Sequence, residues 1–185
     1  MEKNRCDWSV KTENMREYHD NEWGIPVHDD AKHFEFIVLD SNQAGLSWQT
    51  ILNKRDGYRE AFANFDPIKI SQFTDADVER LMLDSRIIRN RLKIKGTIKN
   101  ALAFLAVQQE FGSFDKYIWQ FVNGEIITNN RKTMKDVPAT SPESDSMSKD
   151  LKKRGFNFVG STICYAYMQA AGLVNDHLDT CFKNQ

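Results

Sequence analysis

The chain has 185 residues, enough to bury a real interior as a single domain spanning 1–185. No apolar run approaches membrane-spanning length and the charged N-terminus lacks the apolar segment of an export signal, so no membrane partner is expected. Three cysteines, an odd number, then suggest a reducing, cytoplasmic setting, and the net charge of −1 gives no global attraction to a polyanion.

That average hides a polarised chain. Residues 1–40 hold ten acids against five bases, whereas 85–109 contain no acid and carry Arg86, Arg89, Arg91, Lys93, Lys95 and Lys99. A second basic cluster, Lys149 with Lys152, Lys153 and Arg154, lies near the end. Such tracts either meet phosphates or are solvated helix faces, and charge alone leaves both open.

The periodicity is helical almost throughout, which predicts an all-α fold. Asp29 or Asp30 caps a helix with Phe34, Ile37, Val38 and Ser41 on one face, stopped near Gly45. Ser47 caps the next, with Trp48, Ile51, Leu52, Phe62 and Phe65 as its apolar positions. Asp66-Pro67 opens a short segment, and Thr74 with Asp77 resembles a capping box before Val78, Leu81 and Met82. After Asp84-Ser85-Arg86 a long helix is predicted over 88–108, with Leu92, Ile98, Leu102 and Leu105 inward. Ser113 opens a helix through Trp119 and Phe121, and 123–142 is a polar loop. Helices over 144–154 and 161–171 are stopped by Gly155 and Gly172. Neither strand alternation nor an internal repeat is visible.

Cys6, His19, His177 and Cys181 sit at the two ends, and two thiolates with two imidazoles suit a closed, tetrahedral zinc site. Spacing alone does not choose between that and four unrelated polar residues. Cys164, on an apolar face, reads as a core thiol, and His28 and His33 as surface or helix-cap residues. Trp8, Tyr18, Trp23 and Trp48 crowd the first third, and aromatic rings are ordinarily core. Asp40 weakens that reading. It follows Phe36-Ile37-Val38-Leu39, and a buried acid is costly without a partner or ligand. Between the flanking helices, Gly45-Leu46-Ser47 puts Leu46 at a turn tip, where it packs on a neighbour or acts as an apolar wedge between base steps. No phosphate-binding glycine loop, Gly-x-Ser-x-Gly elbow or His-Glu-x-x-His pair is present.

In order, "RCDW", "YHDNEWG", "QAGLSW", "LKKRGFNFVGSTICYAYMQAAGLVNDH" and the closing Cys181 resemble the bacterial DNA-3-methyladenine glycosylase I family, from Arg5 to Cys181. The resemblance implies a helix-hairpin-helix glycosylase fold whose hairpin region spans about 74–108, with the termini tied by structural zinc on Cys6, His19, His177 and Cys181. It implies substrate contacts from Trp8, Tyr18, Asp40 and Trp48, with Asp40 and Tyr18 as the catalytic groups and Trp23 in the pocket wall or adjacent core. Gly45, Leu46, Arg86, Arg89 and Lys93 would meet DNA, Leu46 filling the gap left by an extruded nucleotide. Two positions depart from the family pattern: Arg86 stands where a glycine is usual, and Asp40 where a glutamate is usual.

The partner implied is double-stranded DNA bearing alkylated bases, met by a monomer. Because N3-methylation makes adenine formally cationic, it leaves readily, and a strong general acid is unnecessary. The family also lacks the aspartate that other members of the superfamily place beyond the hairpin, and no substitute is visible here. A zinc-stabilised DNA-binding module with weak or no turnover is the alternative, and a helical protein-interaction domain a third reading.

Overall fold

The computed structural model describes residues 3–184. Ten α-helices carry these residues: α1 (Glu13–Asn21), α2 (Asp30–Gln43), α3 (Trp48–Leu52), α4 (Arg55–Ala61), α5 (Pro67–Ser71), α6 (Asp75–Leu83), α7 (Arg91–Phe111), α8 (Phe114–Ile118), α9 (Pro142–Lys153) and α10 (Ser161–Ala170). None is long and apolar enough to cross a membrane.

The predicted caps form. Asp29 accepts from the backbone N–H groups of Ala31 and Lys32, Asp66 caps α5 with Pro67 in its first turn, and Thr74 with Asp77 closes a capping box on α6. Gly155 and Gly172 end α9 and α10 with left-handed backbones, and at Gly172 a Cβ would approach the Ile25 carbonyl carbon to 2.5 Å.

Helix α2 is the axis of the fold. It packs against α3, α7, α8 and α10, so every residue from His33 to Asn42 is buried. A helix enclosed on all sides has no solvent face on which to place a polar residue. Asp40 is therefore buried because its helix is, and not because one amphipathic stripe demands it.

Several expectations need correction. Helix α7 starts at Arg91, capped by Asn90, and its inward positions are Ile94, Ala101, Phe104 and Val107, whereas Leu92 and Leu102 are exposed. The single helix predicted after Ser47 is divided into α3 and α4, followed by a left-handed turn at 63–65. That division lets Ile51, Tyr58, Phe62 and Phe65 all reach the core. The polar loop contributes a two-residue strand, β1 (Ile127–Thr128), parallel to β2 (Val174–Asn175). Helix α1 had no predicted counterpart. His33, expected at the surface or as a helix cap, is fully buried between the Tyr167 hydroxyl (2.7 Å) and Asp115 (3.2 Å), while His28 lies outside with Asp115 at 3.0 Å.

Candidate active site

Helix α1 packs against α3, and Arg55 of α4 ties the residue after α1 to α2 by donating to Glu22 (2.7 Å) and Glu35 (2.9 Å). This brings Tyr18 beside Asp40 in a pocket of ≈ 240 Å³. Trp8, Trp23 and Trp48 form its aromatic walls, with Tyr18 5.1 Å from Trp48 and Trp8 5.1 Å from Trp23 between ring centroids. The four aromatic residues and the acid that the sequence singled out thus line one cavity. Trp23 is both wall and core.

Two polar atoms in this lining lack partners: Asp40 Oδ2 and Trp48 Nε1, each buried without a hydrogen bond among the described residues. Asp40 is 3 % exposed, and burial alone pushes its carboxyl well above the usual carboxylate range. Behind it lies a separate void of ≈ 20 Å³ bounded by Cys164 and Tyr167, room for about one water molecule. Burial, reinforced by the nearby Asp40 charge, raises Tyr18 well above the phenol range and keeps its hydroxyl protonated. An unpartnered carboxyl, an unpartnered indole N–H and a neutral phenol within aromatic walls suit a flat, nitrogen-rich ligand that carries positive charge.

Met134 and Val137 also line the pocket, from the polar loop, together with Gln43, Ala166 and Gln169. Met134 and Val137 gave no sequence signal, because a loop residue acquires its neighbour only through tertiary ties. Here a Thr133–Asp136 capping box and the Arg131–Asp176 ion pair (2.9 Å) hold the loop against β2. Gln169 donates to Asp176 at 2.8 Å, and that bond settles which way its amide points.

At the end of α2, Gly45 takes a left-handed backbone (φ +77°) with open space where a Cβ would be. Leu46 follows, 39 % exposed, before Ser47 caps α3. Leu46 therefore stands at a turn tip rather than packing into the core.

The turn between α6 and α7 is less basic than its composition. Arg86 folds back on Asp84 (2.8 Å) and pairs with Glu60, Arg91 pairs with Glu79, and Lys95 pairs with Asp75 (3.1 Å). Arg89 and Lys99 are exposed and make no ion pair among the described residues. Gly57 of α4 lets the turn approach closely, since a Cβ there would sit 2.6 Å from the Arg86 carbonyl oxygen. Lys93 corrects an expectation. It is 7 % exposed and its amine donates to the carbonyls of Asn42 and Ala44, both at 2.7 Å, so it does not face outward toward phosphate.

Cys6, His19 and Cys181 converge, with donor atoms within 4.8 Å of one another, all buried. His177 packs its ring 5.1 Å from that of His19, and its Nε2 is buried without a partner among the described residues. Asn175 Oδ1 sits 2.8 Å from His177 Nδ1, and Asp20 holds His19 Nδ1 at 2.9 Å. Burial pushes the Cys6 thiol up to about 12 and lowers His177 to about 4. Gly24 is required here, as a Cβ would meet the His177 ring at 2.5 Å.

A sequence profile of the methyladenine glycosylase family matches residues 8–184. The chain belongs to this family. It is 49 % identical to DNA-3-methyladenine glycosylase 1 of Escherichia coli (strain K12) over 96 % of this chain and 95 % of that one, and 48 % identical to the Haemophilus influenzae DNA-3-methyladenine glycosylase over 96 % of each. Its backbone matches a crystal structure of 3-methyladenine DNA glycosylase I with a TM-score of 0.96 at 49 % identity, covering 98 % of this chain and all of the other. The Staphylococcus aureus 3-methyladenine DNA glycosylase I, solved to explain 3-methyladenine recognition, matches with a TM-score of 0.94 at 36 % identity, covering 98 % and 97 %. This methyladenine glycosylase thus shares its helical fold with solved 3-methyladenine DNA glycosylases I.

Proposed function

We propose that this protein is a DNA-3-methyladenine glycosylase that hydrolyses the N-glycosidic bond of 3-methyladenine in alkylated double-stranded DNA, leaving an abasic site. The observation that carries this reading is the unpartnered, buried Asp40 in a pocket walled by Trp8, Tyr18, Trp23 and Trp48. A neutral base has no electrostatic reason to prefer this acid. A base made cationic by N3-methylation does, because it supplies the countercharge that burial has removed.

The chemistry asks little of the protein beyond binding. The methylated base is already a good leaving group, so as the bond to the sugar breaks the electron pair passes to the base and oxocarbenium character develops on the sugar, which water then traps. Trp48 stacks on the extruded base, Asp40 accepts from its edge, and Tyr18 keeps a hydroxyl beside both. Extrusion costs a few kcal/mol, less at a damaged pair, and aromatic stacking offsets about 1–3 kcal/mol of that. Leu46 enters the stack where the nucleotide leaves. Helices α6 and α7 with residues 84–90 serve as a helix-hairpin-helix, gripping phosphates through backbone amides with Arg86 and Arg89. The Arg86 guanidinium that makes these ion pairs is itself exposed, so phosphate can take their place at little cost.

A structural zinc belongs to the same reading. The buried Cys6, His19 and Cys181 cluster and the orphaned Nε2 of His177 suit a four-ligand site, which would tie the chain ends together and take no part in the reaction.

Purified protein incubated with methylating-agent-treated DNA should release 3-methyladenine, detected chromatographically. Asp40 stands where a glutamate is usual, which favours a second reading, a binding module of the same fold with little turnover. Retained affinity for alkylated or abasic duplex with no base released at high enzyme concentration would select that reading.

A further inference from the structure

Lys93 is the third residue of α7, and its backbone N–H bonds the Asn90 side chain that caps the helix (3.1 Å). Its amine reaches across to α2 and donates to the carbonyls of Asn42 and Ala44, 2.7 Å each. Asn42 belongs to the last turn of α2 and Ala44 is its C-cap, where intrahelical donors run out and a cation is favoured. One residue later the chain makes the Gly45-Leu46 tip.

Asn42 continues the connection. Its amide donates to Val38 O (2.8 Å) and Thr97 Oγ1 (3.2 Å), and its oxygen accepts from the Tyr58 hydroxyl (3.1 Å). The Tyr58 oxygen in turn accepts from the backbone N–H of Ile88, in the turn between α6 and α7 (3.2 Å). Asn42, Tyr58 and Thr97 are all buried. One continuous polar network therefore joins the proposed phosphate-gripping turn, the turn carrying Leu46, and the helix that carries Asp40 two residues before Asn42.

We propose that Lys93 is a positioning residue that couples grip to extrusion. By clamping the end of α2 to the start of α7, it holds the Leu46 tip and Asp40 in fixed register with the turn at 84–90. Binding of that turn to the backbone then sets how far Leu46 enters the stack. This rests on the glycosylase reading given above. A merely structural lysine would affect every substrate alike; a positioning lysine affects substrates whose base must be pushed out of a duplex.

The test is Lys93→Met, which keeps the stem and removes the amine. Single-turnover release of 3-methyladenine is measured from methylated DNA as duplex and as single strand, beside binding of free 3-methyladenine followed by tryptophan fluorescence. The expected result is a fall on the order of tenfold or more on duplex, with single-strand release and free-base affinity within about twofold of the parent. An equal fall on both forms of DNA, or none on either, overturns the proposal. Should Lys93→Met not fold, Lys93→Gln, which is polar but too short to reach both the Asn42 and Ala44 carbonyls, takes its place, and the same duplex-selective deficit is expected of it. A parent protein that releases no base overturns the glycosylase reading itself, whereas an active parent with an unaffected variant overturns only the coupling.

Discussion

Burial without a partner leaves Asp40 two ways to lower its energy: to keep its proton or to receive a cation. Its carboxyl is raised above the ordinary value by desolvation, so the folded state binds that proton more tightly than the unfolded state does. The stabilising contribution is therefore complete below the unfolded carboxyl value and is lost as pH rises through the folded one. Asp40→Asn, which cannot ionise, should match the parent's melting temperature in acid and exceed it increasingly as pH rises, which scanning calorimetry across buffers will measure. The same variant should lose base release, because the charge that meets a cationic base is gone. A hydrogen bond to a charged group contributes about 1.5–3 kcal/mol, or roughly ten- to a hundredfold in rate. Asp40→Glu extends the acceptor by about 1.5 Å and should equal or exceed the parent. An Asp40→Asn protein with full activity would move recognition elsewhere in the pocket, and one no more stable than the parent at high pH would refute the burial argument.

At the level of elements, the turn from α2 to α3 separates binding from folding. Leu46 is partly exposed and packs little, so Leu46→Ala should change thermal stability by no more than about 0.5 kcal/mol. If the tip fills the space of an extruded nucleotide, the same change should slow release from duplex DNA while sparing single strands; equal rates on duplex would dismiss the wedge. Caps explain why this region was legible in the sequence. Asp29, Ser47, Asp66 and the Thr74–Asp77 pair announce helix starts through bonds that span only three residues. The inward face of α7 was misread for the opposite reason. Leu92 and Leu102 are apolar yet exposed, while Lys93, Thr97 and Asn100 are buried because each has a specific partner on another element. A period of apolar residues cannot reveal a lysine whose amine is held by two carbonyls some fifty residues earlier in the chain.

Across the whole molecule, the two ends of the chain meet. Residues from opposite termini meet at Cys6, His19 and Cys181, and Leu178 donates its backbone N–H to the Cys6 sulfur at 3.5 Å. The strand pair of Ile127 with Val174 and the Arg131–Leu178 bridge draw the pocket-lining loop to the same place. Such pairings join residues from about fifty to more than 170 positions apart, which is why ligand spacing leaves the metal undecided and gives no hint of Met134 and Val137. The motif order, resembling a known family, carried more than the spacing did. With two thiols and two imidazoles buried together, burial holds the Cys6 thiol protonated in metal-free protein, and His177 Nε2 has no partner among the described residues. A zinc ion held by Cys6, His19, His177 and Cys181 would reverse both costs, taking the sulfurs as thiolates and the imidazole lone pairs as ligands, with protons released on binding. Elemental analysis should therefore find about one zinc per chain, and a strong chelator should lower the melting temperature. Cys181→Ala should destabilise by at least about 4 kcal/mol, the range reached by single substitutions that break a buried metal site or network. Any variant protein that remains folded should still bind free 3-methyladenine, because the pocket contacts are made by other side chains. A purified chain without zinc that melts where the zinc-loaded chain does would show that the four residues pack together for reasons other than metal.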